Sequence, residues 1–340
     1  MRVQIFLWMM FTFVLLFFPT SIINADDNDF EFRVEPIFPE SQIGNKGYYH
    51  FKAQPNNTVT LQARVINESN RELTVTISSF NAYSGEQGII YQEDPVLEGT
   101  SITNEQYQFK DVTTTPSEIT VGPSQTEVVE FTVHVPEIIG TLLGSMEFKV
   151  FEKTEELSEG KENSQLLIDK YRAVNLGVQV DVTDYNETPS LILESPNFSS
   201  NQIAIMVPIQ NNHPVIIPEI SGTYEITKEE DADFSVTGNI PLFKMAPMTS
   251  FYYPIRWREG TLGSGTYKIA SAIDVNGISQ NYEETFTIAN EEVQETQEKM
   301  EARGQSEVET DAFPWTTVII IALLVVVILL LLLVILKKKK

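Results

Sequence analysis

From Phe30 onward, apolar and polar residues alternate with the period of an extended chain. Val59, Leu61, Ala63 and Val65 fall on one side, and Thr60, Gln62 and Arg64 on the other. Leu73, Val75 and Ile77 alternate with Thr74, Thr76 and Ser78, and Val129, Phe131, Val133 and Val135 with Glu130, Thr132 and His134. A strand sends successive side chains to opposite faces, so each run predicts a strand with one buried face. Turn formers bound the runs, as in Asn67-Glu68-Ser69-Asn70 and Val121-Gly122-Pro123-Ser124. Alternation resumes at Val174, Leu176, Val178, Val180 and Val182. It continues through Ile203, Ile205, Val207 and Ile209, then Tyr267, Ile269, Ser271 and Ile273, and ends at Glu284 to Ile288. Strands at this spacing predict an all-β chain of two tandem immunoglobulin-like antiparallel β-sandwiches. The first is placed at 30–151 and the second at 166–289, each long enough to hold its own core. The polar stretch 152–165 reads either as the loop of a hairpin or as an interdomain linker.

The ends of the chain break the pattern. Residues 315–336 are apolar except for Thr316 and Thr317, and Lys337, Lys338, Lys339 and Lys340 follow. A bilayer core of about 30 Å takes about 20 helical residues, so this run predicts one C-terminal transmembrane helix. Trp315 stands where an interfacial anchor belongs, and the four lysines mark the cytoplasmic side. At the other end, Arg2 precedes an apolar run from Ile5 to Phe18, broken by Pro19 and followed by Asn24-Ala25. That layout predicts a secretory signal peptide over 1–25. The expected topology is single-pass, with everything between the ends outside the cell. Residues 290–314 are rich in glutamate, and only Val293, Met300 and Val308 suit packing. Such a segment reads as an acidic stalk, helical up to Arg303-Gly304, that holds the sandwiches off the membrane.

Charge and composition narrow the function. All 47 acidic residues lie between the two apolar ends, whereas Arg2 and the terminal lysines remove five of the 23 basic ones. The intervening part therefore carries 18 basic against 47 acidic groups, a formal charge of −29. That surface repels nucleic-acid phosphates and excludes a nucleic-acid role. The chain has no cysteine, which removes thiol catalysis and cysteine-based metal sites. It has three histidines, His50, His134 and His213, far apart in sequence. No H-E-x-x-H, G-x-S-x-G or phosphate-cradling loop is present. Gly260-Thr261-Leu262-Gly263-Ser264-Gly265 lies between two strand patterns and reads as a turn. Asp26-Asp27-Asn28-Asp29 with Glu31 lacks the glycine of a tight calcium loop. The expectation is a nonenzymatic chain with no cofactor and no metal.

Longer motifs carry a resemblance. Phe32-Arg33-Val34-Glu35-Pro36-Ile37-Phe38-Pro39-Glu40-Ser41-Gln42, Asn81-Ala82-Tyr83-Ser84-Gly85-Glu86-Gln87-Gly88-Ile89-Ile90-Tyr91 and Gly140-Thr141-Leu142-Leu143-Gly144-Ser145-Met146-Glu147-Phe148 resemble segments of the WxL-interacting proteins of Gram-positive bacteria. Phe243-Lys244-Met245-Ala246-Pro247-Met248-Thr249-Ser250-Phe251 and Gly265-Thr266-Tyr267 resemble that family's second domain. The chain departs from the family at Thr249-Ser250, where Asn-Ser is usual, and at Gly144-Ser145, where paired glycines are usual. The resemblance implies a cell-surface adaptor. Its first domain would bind peptidoglycan, and its second would bind WxL-domain surface proteins or a host extracellular-matrix protein. The chain contains no Trp-x-Leu of its own, so it would be the membrane-held partner.

Read from the residues themselves, Pro39 and Gly144 suit turns, Leu143 and Phe148 suit core positions, and Met245-Ala246-Pro247 suits a loop docked into its sandwich. Phe251, Tyr252 and Tyr253 cannot all face one core from a strand, so at least one is expected at the surface. Tyr48 and Tyr49 pose the same question. Candidate binding residues are thus Tyr48, Tyr49, Met245, Phe251, Tyr252 and Tyr253. The competing functions are a host-matrix adhesin acting through the second domain and a cell-wall hydrolase. For the hydrolase, the sequence nominates no carboxylates.

Overall fold

The computed structural model describes residues 32–151, 171–257, 262–302, 310–311 and 323–324. The signal peptide expected at 1–25, the stretch 152–165, Trp315 and Lys337 to Lys340 lie outside the described residues. So does all but 323–324 of the apolar run 315–336. Among the described residues no helix is long and apolar enough to cross a membrane.

The described chain is all-β apart from two single 3-10 turns and short helical segments. Its first eleven strands are β1 (Phe32–Ile37), β2 (Tyr49–Lys52), β3 (Thr58–Asn67), β4 (Leu73–Gly85), β5 (Gly88–Gln92), β6 (Ser101–Ile102), β7 (Thr113–Thr114), β8 (Glu118–Val121), β9 (Thr126–His134), β10 (Gly140–Phe151) and β11 (Tyr171–Thr183). One sheet runs β1-β3-β9-β7. The other runs β2-β11-β10-β4-β5, with β8 also pairing β4. The two sheets close over one core, to which the first contributes Ala63, Val65 and Phe131 and the second Met146, Phe148, Val178 and Val180. The alternation places those side chains inside, and each of the larger ones contributes about 1.5–3 kcal/mol by leaving water.

The sheets correct the boundary at 166. β11 was expected to open the second sandwich, yet it pairs with β10 from Phe151↔Tyr171 through Leu142↔Val180 and fills the first core. β10 and β11 are therefore antiparallel neighbours in the first half's sheet. Alternation identifies a strand and its buried face but not the sheet it joins. Gly144 is likewise no turn residue. It lies within β10, where a Cβ would stand 2.1 Å from the ring of the fully buried Phe109. Pro39 does begin a turn, closed by Gln42 N–H donating to its carbonyl at 3.0 Å.

The second half comprises β12 (Ile192–Leu193), β13 (Asn197–Ser199), β14 (Ala204–Asn211), β15 (Ile217–Lys228), β16 (Asp231–Met245), β17 (Thr249–Arg256), β18 (Leu262–Gly263), β19 (Gly265–Val275) and β20 (Ile278–Ile288). One sheet has β14 and β17 at its centre, with β12 and β13 beside β14. The other runs β16-β15-β19-β20. They share a second core containing Ile205, Ile209, Ile226, Phe243, Tyr267 and Ile273. Ile203, expected in a strand, sits in the turn before β14 at φ 51°, and its carbonyl accepts from Trp257 N–H.

The acidic segment after β20 is not a free stalk along its described length. Helix α1 (Asn290–Ala302) buries Val293, Thr296 and Met300. Ser200 donates to Glu295 at 2.8 Å, and Lys299 donates to Ser200 at 3.0 Å. Further on, β21 (Thr310–Asp311) pairs in parallel with β18. Two apolar residues seven apart, Val293 and Met300, are enough to dock one helical face.

The two halves interlock. β6, from the first, pairs with β17 and extends the second half's sheet. Ser84 Oγ lies 2.5 Å from Thr249 Oγ1 and accepts from Ala246 N–H at 2.9 Å. Glu86 receives a bidentate pair from Arg256 at 2.5 and 2.8 Å. Leu143, Ala82 and Ala246 form a small apolar cluster at this junction.

Candidate functional site

β10 sends Leu142, Met146 and Phe148 into the core, so Thr141, Leu143, Ser145 and Glu147 lie on the outer face of the five-strand path. By register, Ser145 faces Gly177, Leu143 faces Gln179 and Thr141 faces Asp181. β2 lies parallel to β11, pairing His50 with Gln179, and puts His50 on the same face as its neighbours Tyr49 and Phe51 turn inward. Gly177 is the centre of this surface. A Cβ there would stand 3.4 Å from Tyr48 Cβ and 3.7 Å from the Tyr91 hydroxyl. Two half-buried tyrosines, one from each side of the sheet, thus meet above a glycine. Burial raises the Tyr91 hydroxyl above its ordinary range, and the nearby Tyr48 adds to the effect.

The rim of this platform is polar and fixed. Asp181 accepts from Thr141 Oγ1 at 3.0 Å and from Gln179 Nε2 at 3.1 Å, and lies 2.8 Å from His50 Nε2. Lys46 Nζ reaches His50 Nδ1 at 3.2 Å and stands 5.2 Å above the Tyr48 ring. An ammonium can only donate, so Nδ1 accepts and the His50 proton sits on Nε2, facing Asp181. The Tyr48 and His50 rings stack with centroids 6.4 Å apart. Gln42 ties the start of β2 down by donating to Tyr48 O and accepting from His50 N–H. Along the same face, Lys149 joins Glu147 at 2.8 Å and stands over the exposed Phe151–Tyr171 ring pair. Aromatic faces beside fixed hydroxyl, amide and charged groups suit a ligand with apolar faces and polar edges, as sugars have.

The structure sorts the six candidate residues unequally. Tyr48 lies on this platform. Tyr49 is its opposite: it is fully buried, its hydroxyl donates to Gln62 O at 2.6 Å, and burial pushes its ionisation up. Met245, Phe251 and Tyr253 are buried in the second core, with Tyr253 pushed up to about 12 by burial and Glu86. All of Met245-Ala246-Pro247 is buried, but Met245 ends β16 and only Ala246 and Pro247 belong to the connection to β17. Tyr252 is the half-buried member of its triplet, its ring lying against Gly99 of the first half. Tyr91, Gly177 and His50 were missed. Their meeting depends on the parallel pairing of β2 with β11, for which the sequence carries no signal.

Among the described residues no cluster of acids and histidines suits a metal ion. His134 is exposed beside Thr58, and His213 is held by Tyr185 and by Ser190 N–H.

Two family profiles match the chain. Residues 32–150 match the peptidoglycan binding domain of the WxL Interacting Protein, and residues 163–298 match its host binding domain. No protein of curated function matches. Similar solved structures include a chain of a chaperone–tip adhesin complex of CFA/I fimbriae, at 11% identity, TM-score 0.33, covering 76% of this chain and 98% of that one. A chain of the CsuC–CsuE complex of Acinetobacter baumannii gives 13%, 0.33, 74% and 97%. The class 5 fimbrial chaperone CfaA gives 12%, 0.31, 76% and 99%.

Proposed function

The chain belongs to the WxL-interacting protein family, and from that premise we propose that it is a noncatalytic, membrane-anchored adaptor of the cell surface. Its first sandwich holds peptidoglycan and its second, also immunoglobulin-like, holds WxL or host proteins. The observation that supports the first role is the Tyr48–Tyr91 platform over Gly177 with its Lys46, His50, Gln179 and Asp181 rim. The two profile matches, to domains named for peptidoglycan and host binding, point the same way. The apolar run at 315–336 with Lys337 to Lys340 supplies the anchor, and residues 1–25 supply the export signal.

Retention of the full-length chain on insoluble peptidoglycan tests the reading. Tyr48→Ala is expected to weaken retention about fivefold, the effect of about 1 kcal/mol of lost aromatic contact. Gly177→Val, which forces the two tyrosines apart, is expected to weaken it further. Unchanged retention in both variants would move the glycan site elsewhere, and no retention of the unmodified chain would remove the first role altogether.

The name of the second matched domain favours one alternative, a host-matrix adhesin acting directly through that half. Deleting 166–289 would not test it, because the cut removes β11 from the first core. Surface substitutions in the second half alone keep both cores intact. If adhesion survives them while peptidoglycan retention is normal, the adhesin reading fails.

A further inference from the structure

The geometry points to a pocket between the two halves as an acceptor for an arginine side chain of a partner protein. This inference rests on the reading that the second half binds protein. The loop before β6 crosses onto the outer face of the second half's sheet and leaves a cavity of about 330 Å³. Gly99, Thr100 and Ser101 supply one wall, and Glu194, Pro208 and Tyr252 much of the other. Gly99 has φ +73°, and a Cβ there would stand 2.5 Å from the Tyr252 ring, so the loop approaches the ring as closely as it does because this residue has no side chain.

Three features define the occupant. Thr100, one of the residues lining the cavity, is 94% buried, and its Oγ1 has no hydrogen-bond partner. A buried hydroxyl without a partner is costly, and a bound donor would satisfy it. Tyr252 and Pro208, paired across β14 and β17, offer a flat apolar wall on which a guanidinium stacks. Glu194, in the lining, is exposed, and so is Glu98, next to Gly99 in sequence, on a chain of formal charge −24. Negative charge at the mouth disfavours a carboxylate and favours a cation. The volume lies at the small end of ligand pockets, which suits one side chain. Val96 and Leu97, exposed on the same loop, would meet apolar residues flanking the arginine. Because each half supplies a wall, the pocket exists only while the halves stay locked, and a partner seated there would read that arrangement.

The test titrates the full-length chain in detergent with acetyl-arginine amide, followed by ligand-detected NMR, with acetyl-lysine amide and acetyl-tryptophan amide as comparisons. The arginine probe should bind tightest and weaken with added salt. Thr100→Val, which keeps the shape but removes the hydroxyl, should lose affinity about tenfold or more, the usual cost of a hydrogen bond to a charged group. Thr100→Ser should retain it, and Tyr252→Leu should weaken it. Preference for the lysine or tryptophan probe, no binding, or equal binding to Thr100→Val would overturn the assignment. Peptidoglycan retention and capture of a WxL protein are read separately, so failure of the pocket is distinguishable from failure of the adaptor reading.

Discussion

Asn67 ends β3 with its side chain buried and its amide nitrogen within 3.0 Å of the carbonyls of Arg71, Val121 and Gly122, while its Oδ1 accepts from Ser69 N–H. Asn211 does the same at the end of β14, donating to Val215 O and Ala246 O and accepting from His213 N–H. Each replaces a turn's missing backbone partners with one amide. Asn67→Ala is expected to lower unfolding free energy by about 2–3 kcal/mol in denaturant titration, because several buried carbonyls lose their donor. Tyr253 gives a pH signature. Its folded ionisation lies at about 12 against an ordinary 10.0, so the neutral form is the one the core accepts. Stability should therefore be intact below pH 10 and fall as pH rises toward 12. A melting temperature flat across that range would refute it. The turn at Asn67 was legible in the sequence because Asn, Ser and Asn cluster there. Its bonds to Val121 and Gly122 were not, since they join loops 54 and 55 residues apart. In the same way Tyr48 and Tyr49 are indistinguishable as letters, and only the side of the sheet that meets the core separates them.

Strands were legible wherever one face is buried. The misplacement of β11 shows the limit: its Val174 to Val182 alternation is as clear as any, but the partner it takes is β10, in the first half's sheet. Gly144 marks another. A glycine inside a strand usually weakens it, yet here it makes room for the Phe109 ring. Gly144→Ala should destabilise the first sandwich by about 1–3 kcal/mol through overpacking, measurable by calorimetry. In the acidic segment, composition suggested a helical stalk standing free of the sandwiches, whereas two apolar residues seven apart dock the helix. Hydrogen bonds from Ser200 and Lys299 hold the Glu295 carboxyl below its ordinary range. That support is present above the usual glutamate range and is lost as acid protonates Glu295. Protection of the α1 amides, corrected for intrinsic exchange, should then fall as acid protonates Glu295, without global unfolding.

At the scale of the whole molecule, the two halves are joined by backbone as much as by side chains. Thr141 N–H donates to Pro214 O at 2.7 Å, and a Cβ at Gly140 would stand 2.0 Å from that same oxygen. Gly140→Val should thus separate the halves, visible as a larger radius in small-angle scattering. Glu86→Ala should change stability by about 1 kcal/mol or less, since its pair with Arg256 is partly exposed. The family boundary at 163 and the sheet boundary after β11 differ because the chain commits its last first-half strand before it crosses over. The pairing of β21 with β18 has a mechanical consequence. Asp311 is held at the second sandwich, and with the span proposed to start at Trp315 only three residues intervene, a leash of at most about 14 Å over four Cα steps. The protein would then survey a shallow cap of space directly above its own anchor rather than swing through a wide hemisphere. On the proposed topology, partners on the same bilayer would meet it at high local concentration.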